Sequence, residues 1–281
     1  MIKWLFALLL AIVIFGSAAF FGYHIIIKPE LAVRAERSAE FVDEPRIDST
    51  LPEFQAAAEL RKNGELAEAR AALTAFLQKY PNSPNAEAAK DLLGDTNMDI
   101  ILSKYPSPEK KEYIVKSGDV LARVATKMKS TPELIMRTNN LSGTMLRIGD
   151  RLLISNPEFS LFIQRKEQAI TLLDRGVFFK RYRVRNVKLP PKQQTRITTR
   201  VAETMAWRDG KRVGFGTKEY MGSVRWIRLA TAGHVLYAEP SAEGAQPGGV
   251  PPPPTGYGMA AHDVEELSGL VNSKTAVTIT D

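Results

Sequence analysis

The spacing of hydrophobic and polar positions changes repeatedly along the chain, and each change predicts a different element. Residues 4–27 are apolar, contain no Asp, Glu, Lys or Arg, and are bracketed by Lys3 and Lys28. As a helix rising about 1.5 Å per residue, this run spans roughly 36 Å, more than the ~30 Å hydrocarbon core of a bilayer. Residues 1–28 are therefore predicted to be an uncleaved transmembrane signal anchor. Gly16, Ser17, Ala18 and Ala19 resemble a cleavage site, but the apolar run continues past them, unlike that of a signal peptide. A linker over 29–50 follows, polar and without apolar period. Residues 51–106 are dense in alanine and read as helices over 51–63 and 65–80, joined at Gly64, with a third starting after the Pro81/Pro84 pair. Gly94 is expected to break that third helix.

From Tyr113 the period changes to that of a strand, with Tyr113 and Val115 on one face and Ile114 on the other. Gly118 ends it, and Asp119 is placed to cap a helix over about 120–129. Leu121, Val124, Ala125 and Met128 give that helix one apolar stripe. A second helix opens at Thr131, with Pro132 suited to its first turn, presents Leu134, Ile135 and Thr138, and stops at Asn139 and Asn140. After a turn at Ile148 and Gly149, residues 150–154 form a last strand, so residues 111–156 make a βααβ unit.

Tyr113, Val115, Gly118, Asp119, Leu121, Ala125, Leu134, Asn139, Leu141, Gly149, Leu152 and Ile154, in that order and spacing, resemble the LysM (lysin motif) domain. Val120 departs from the family's usual Thr or Ser, and Met128 from its frequent Tyr. The resemblance implies recognition of N-acetylglucosamine polymers, in bacteria the glycan strands of peptidoglycan. It places the sugar groove between the first strand–helix loop and the second helix–strand loop. Carried over, one side is Gly118, Asp119, Val120 and Leu121, and the other Asn140, Leu141, Leu146, Arg147 and Ile148. Backbone amides and carbonyls there can pair with acetamido groups while Leu and Ile cover the methyl. Leu121, Leu141 and Leu146 also read as core, and for Leu121 core is the favoured reading.

Beyond Asn156 and Pro157 the pattern is mostly strands, over 159–164, 169–173, 177–187, 224–229, 235–238 and 276–280, with a helix over 261–271. In the third strand Phe178, Lys180, Tyr182 and Val184 share one expected face, and Phe179, Arg181, Arg183 and Arg185 the other. Residues 244–258, rich in Pro and Gly, read as a mobile loop. Three stretches of 158–281 resemble the L,D-transpeptidase catalytic domain. They are a hairpin from Ile163 through Gln168, Ile170 and Asp174 to Gly176, the run from Val224 to Gly233, and the ending from Met259 through His262 and Asp263 to Ile279. That family works through a cysteine nucleophile, and this chain has no cysteine. Aligned on Met259 and Asp263, the cysteine position falls at Gly256, the arginine at Gly258 and the upstream histidine near Tyr237. Catalytic residues are therefore expected to be absent. A substitute nucleophile would have to be Thr255 or Ser241 working with His234 or His262.

Charge adds one asymmetry. Residues 158–239 carry 17 basic and 7 acidic side chains, whereas residues 29–110 carry 10 and 15. Arg181, Arg183 and Arg185, with Lys188, Lys192, Arg196 and Arg200, suggest a patch for acidic ligands or simply a solvated face. Residues 51–106 also match tetratricopeptide spacing at Gly64, Leu66, Ala69, Leu73 and Pro81, too briefly for a free-standing array. They read as a spacer, with a peptide-binding or self-association surface as the alternative. His24, His234 and His262 have no metal-ligand spacing, and no cofactor motif occurs.

The expected protein is a multidomain α+β chain: an N-terminal transmembrane helix, a short α-helical hairpin region, a βααβ LysM domain and a β-rich C-terminal domain. Its expected location is the bacterial inner membrane, single-pass, with the C-terminal domains in the periplasm. Its expected role is to bind peptidoglycan glycan strands, tethering or sensing the wall without enzymatic activity; nucleic acid is not an expected partner. A remodelling enzyme with a non-cysteine nucleophile, or an envelope scaffold using residues 51–106, are the rival readings.

Overall fold

Helices α1 (Leu51–Lys62) and α2 (Leu66–Lys79) form an antiparallel pair, and α3 (Ala86–Leu102) packs beside them. Ala57, Leu73, Phe76, Ala89 and Leu93 make their common core, with Phe54 and Tyr80 closing on Phe76 at ring distances of 5.9 and 5.4 Å. The computed structural model describes residues 48–190, 194–240 and 247–281, together with Tyr23, Lys28 and Glu30. The expected anchor lies outside these residues apart from Tyr23 and Lys28. Among the described residues no helix is long and apolar enough to cross a membrane.

The C-terminal strands are β3 (Phe159–Gln164), β4 (Ala169–Asp174), β5 (Val177–Lys188), β6 (Arg196–Arg208), β7 (Lys211–Arg212), β8 (Val224–Leu229), β9 (Val235–Ala238), β10 (Gly256–Met259) and β11 (Ala276–Thr280). Among the described residues they follow the order β11-β3-β4-β5-β10-β9-β8-β6-β7, and β11 also pairs with β6. The sheet thus closes into a barrel with β7 as a flap off its rim. Leu161, Ile163, Ile170, Leu172, Tyr182, Ile227, Leu236 and Tyr257 fill it. Helix α6 (Ala261–Leu270) adds Val264, Leu267 and Leu270 to the same core. Three strands fall outside the expected pattern, the two-residue β7 among them. In β6 Val201 faces the barrel core and Met205 a separate cluster with Trp226 and Tyr237, and the bulge between Val201 and Glu203 hides the alternation. Strand β10 takes the end of the stretch expected to be a loop, because Tyr257 and Met259 are buried between β5 and β9.

Helix α3 packs directly on β5, and Gly94, expected to break it, does not. The helix crosses β5 at Gly94, where a Cβ would stand 3.0 Å from Lys180 Cγ and 3.2 Å from Lys180 Cα, so glycine permits the approach. Asn97 Nδ2 donates to the Phe179 carbonyl at 2.8 Å. Arg181 pairs with Asp91 at 2.9 Å and also with Glu87, Lys180 with Asp95 at 3.0 Å, and Arg183 with Asp91 at 3.4 Å. The expected basic patch is therefore answered, at Arg181 and Arg183, by acidic side chains of the same chain; Lys192 lies outside the described residues. The two-face reading of β5 also needs correction. Opposite Leu172 and Leu173 stand Lys180 and Phe178, so Phe179 is an extra, bulged residue. Phe179 packs on Phe159 at 5.0 Å at the edge of the barrel core, while Phe178 packs on the helices and both Lys180 and Arg181 reach α3.

The βααβ unit comprises β1 (Lys110–Ile114), α4 (Leu121–Lys127), α5 (Pro132–Asn139) and β2 (Arg151–Ser155), with β1 and β2 antiparallel. The junction from α3 is tied down: Lys110 Nζ donates to the carbonyls of Ile100, Ser103 and Tyr105 at the end of α3. Helix α5 serves two cores. Leu134 belongs to the barrel core, whereas its neighbours Ile135 and Met136 belong to the core of the βααβ unit. Thr138 donates to the Ile101 carbonyl at 2.9 Å and Thr131 to the Gly269 carbonyl.

Two outcomes follow. Because α5 is shared, Leu134→Ala should cost about 2–4 kcal/mol and lower one common unfolding transition of the two units, as read by calorimetry. The second concerns pH. Contacts with Lys90, and then Arg181, hold the Glu87 carboxyl down at about 2. A depressed folded value stabilises above the unfolded value of about 4.3 and is lost as pH falls toward 2. Denaturant titrations should therefore find Arg181→Ala about 1 kcal/mol less stable at pH 7, the usual scale for a largely solvent-screened pair. They should also find a smaller loss of stability than in the wild type between pH 4.5 and 2.

Candidate glycan-binding site

Two loops leave the same end of the β1–β2 ladder, where Ile114 pairs with Arg151, and their bases are stitched together. Val115 N–H donates to the Asp150 carbonyl and Gly149 N–H to the Val115 carbonyl, each at 2.9 Å. The first loop runs from Val115 to α4. Contrary to expectation, Asp119 does not cap α4; the N-cap position is Val120, and the Asp119 side chain turns elsewhere. Its carboxylate instead accepts from the Lys116 N–H and the Tyr113 hydroxyl, both at 2.8 Å, and so closes the loop on itself. Those same bonds, that of Lys116 first, hold the Asp119 carboxyl below its ordinary range. Arg123 donates to the Gly118 carbonyl at 3.0 Å across the loop.

The second loop begins where α5 ends, at Asn140 in the left-handed conformation with φ of 54°. The preceding Asn139 is structural, bonding both the N–H and the carbonyl of Leu153 on β2 at 2.8 Å. Leu141 and Leu146 are half-buried against the same small core that contains Leu121. Leu121, 1% exposed, is a core residue and forms the floor beneath the loops. Gly118, Asn140 and Arg147 are exposed, and Asp119 is half-buried. Three large apolar side chains stand in solvent on the two loops: Val120 at 47% exposure, Ile148 at 74% and Met145 at 89%. Met145 was not among the residues expected for the site; an apolar residue in a turn-rich stretch was its only signal. The structure thus sets the two expected groups of residues on adjoining loops, over one core, with apolar tips facing water.

The expected catalytic positions look different. Gly256 has φ of +147°, and a Cβ there would stand 2.3 Å from the Val235 carbonyl oxygen. Tyr237 fills the adjacent space: its Cδ1 lies 3.3 Å from that Cβ, and its hydroxyl 3.2 Å from a Cβ at Gly258. His234 is buried with Nδ1 3.0 Å from the Tyr257 hydroxyl, and burial, then Arg165, lowers its pKa. His262 is at the surface, 3.1 Å from Asp263. Among the described residues neither histidine hydrogen-bonds Thr255; Ser241 and His24 lie outside them. No group of three or more His, Asp or Glu side chains among the described residues is arranged to hold a metal ion.

Residues 113–155 match the LysM domain family. No curated protein sequence matches the chain. Among solved structures, an L,D-transpeptidase from Mycobacterium smegmatis is similar at 11% identity and a TM-score of 0.30, over 48% of this chain and 65% of that one. An L,D-transpeptidase from Mycobacterium tuberculosis H37Rv gives 12% and 0.31 over 61% and 90%. A cysteine-to-serine variant of the Enterococcus faecium L,D-transpeptidase gives 12% and 0.28 over 67% and 83%. The chain thus spans about two thirds of the length of the first of these. Superpositions this partial transfer no residue roles.

The crowding at Gly256 carries its own prediction. Gly256→Cys should yield no cross-linked or cleaved stem peptide on incubation with muropeptides. It should also lower stability by about 2 kcal/mol or more, because the new side chain meets backbone rather than a movable side chain.

Proposed function

We propose that this chain binds the glycan strands of peptidoglycan through the two loops of its LysM domain, and tethers to or senses the wall without cutting or joining it. The observation that carries the reading is the LysM match over residues 113–155. The loops supply what an acetamido sugar needs. Exposed backbone at Gly118 and Asn140 can exchange hydrogen bonds with the amide, and Val120 and Ile148 can cover its methyl. Asp119 and Arg147 would meet hydroxyls at either side, Leu141 and Leu146 would line the second wall, and Leu121 would support the floor.

Membrane anchoring through residues 4–27, with the remaining domains in the periplasm, belongs to the same proposal and rests on the uncharged length of that segment. Confinement near the wall would raise the effective concentration of a weak, single glycan reader. Catalytic silence rests on the absence of cysteine and the lack of room at Gly256. A second reading, an envelope scaffold, is favoured by one feature. A cleft of about 580 Å³ lies between α2, α3 and the β4–β5 hairpin, lined by Ala67, Ala71, Leu93 and Phe178 among others. If a partner sits there, Ala71→Trp should strip it from purified complexes and leave glycan binding intact.

Deleting residues 112–154 would be a poor test, because α5 is part of the barrel core. Ile148→Asp is cleaner: the side chain is exposed, so the fold should persist while the apolar wall becomes charged. The full chain should pellet with peptidoglycan sacculi and Ile148→Asp should pellet about tenfold less well, a loss of roughly 1.4 kcal/mol. Equal pelleting of the two would remove the LysM loops from the binding function.

A further inference from the structure

We infer that the glycan site continues beyond the LysM domain onto the barrel loop at residues 213–223, where Phe215 takes the next sugars of a long bound strand. The inference rests on the glycan-binding function proposed above and deepens it, since nothing in a LysM domain requires a neighbouring barrel to contribute.

The loop abuts the site. A Cβ at Gly216 would stand 3.1 Å from Thr144 Cγ2, and Thr144 lies in the middle of the second glycan loop, between Leu141 and Leu146. It is also held in place. Phe215 packs edge-on against Tyr220 with ring centroids 5.1 Å apart. The Tyr220 hydroxyl donates to Glu133 Oε2 at 2.6 Å, and Glu133 lies in the first turn of α5. The Arg225 guanidinium sits 3.6 Å from the Tyr220 ring centroid and donates to the Tyr220 carbonyl at 3.0 Å. Phe215 is therefore next to a residue in contact with the LysM loop, on a platform bonded to the LysM helix.

That platform leaves apolar surface in water. Phe215 is 40% exposed, and Met145 on the abutting loop is exposed almost fully. Exposed apolar side chains gathered on adjoining loops offer a surface that a ligand can cover. Its continuity with the LysM loops selects the occupant: a glycan strand that outruns the short groove between them. Pyranose rings present C–H faces to which an aromatic ring can apply itself, and a ring already braced loses little freedom in binding.

The test compares N-acetylglucosamine trimer and octamer, titrated calorimetrically into the full chain and its variants. Phe215→Ala should weaken octamer binding about fivefold and leave trimer binding unchanged, with Phe215→Tyr behaving as wild type. Unchanged octamer affinity in Phe215→Ala would overturn the inference. So would an equal loss for both sugars, which would mean that Phe215 merely supports the fold. Ile148→Asp separates this idea from the one beneath it. Loss of trimer binding in Ile148→Asp, with no effect of Phe215→Ala, leaves the LysM reading standing and removes the extension. Failure of the unmodified chain to bind either sugar removes both.

Discussion

The burial of α5 between two cores is the constraint on which the architecture depends. Leu134 and Ile135 are adjacent in sequence and both fully buried, yet one faces the barrel and the other the LysM core. An isolated unit of about forty residues buries too little apolar surface to be robust. Here the deficit is met by borrowing, since the helix that completes the small domain also plugs the larger one. Thr131 and Thr138 add hydrogen bonds to the Gly269 and Ile101 carbonyls, so these two buried hydroxyls in the seam are satisfied as well. The orientation of the two exposed LysM loops relative to the barrel is thereby fixed by packing, not by a linker.

Electrostatics organises the other seam. The sequence shows an acidic N-terminal stretch and a basic C-terminal one, but a charge count carries no geometry. Only the fold reveals that Glu87, Asp91 and Asp95, recurring at four-residue spacing along one face of α3, meet Lys180, Arg181 and Arg183 on β5. The bulge at Phe179 is what puts Lys180 and Arg181 within reach of the same helix, and a bulge has no signature in an alternating pattern. Strand β6 escaped for a similar reason, its alternation being broken at Val201 and Glu203.

The LysM unit was legible because its ordered residues each answer a local demand: Leu121, Leu134, Leu152 and Ile154 are buried, and Asn139 ties α5 to β2. What could not be read was the partner each polar group would choose. Asp119 stands where a helix cap belongs, yet its carboxylate turns back to Lys116 and Tyr113. Nor could the neighbours of the site be read, since Thr144 and Gly216 are far apart in sequence and meet only through the shared helix.

That shared helix also has a mechanical side. A domain strung on a flexible tether would yield first at the tether when its ligand is tugged. In this chain a load applied at residues 118–121 or 140–148 passes through α5 into the barrel. The Thr131–Gly269 bond to α6, the Thr138–Ile101 bond to α3 and the Leu134 contact with the barrel core resist together rather than in succession. Tension placed on those loops would thus be borne as shear across a packed joint within residues 50–281, as in a stiff strut rather than a leash.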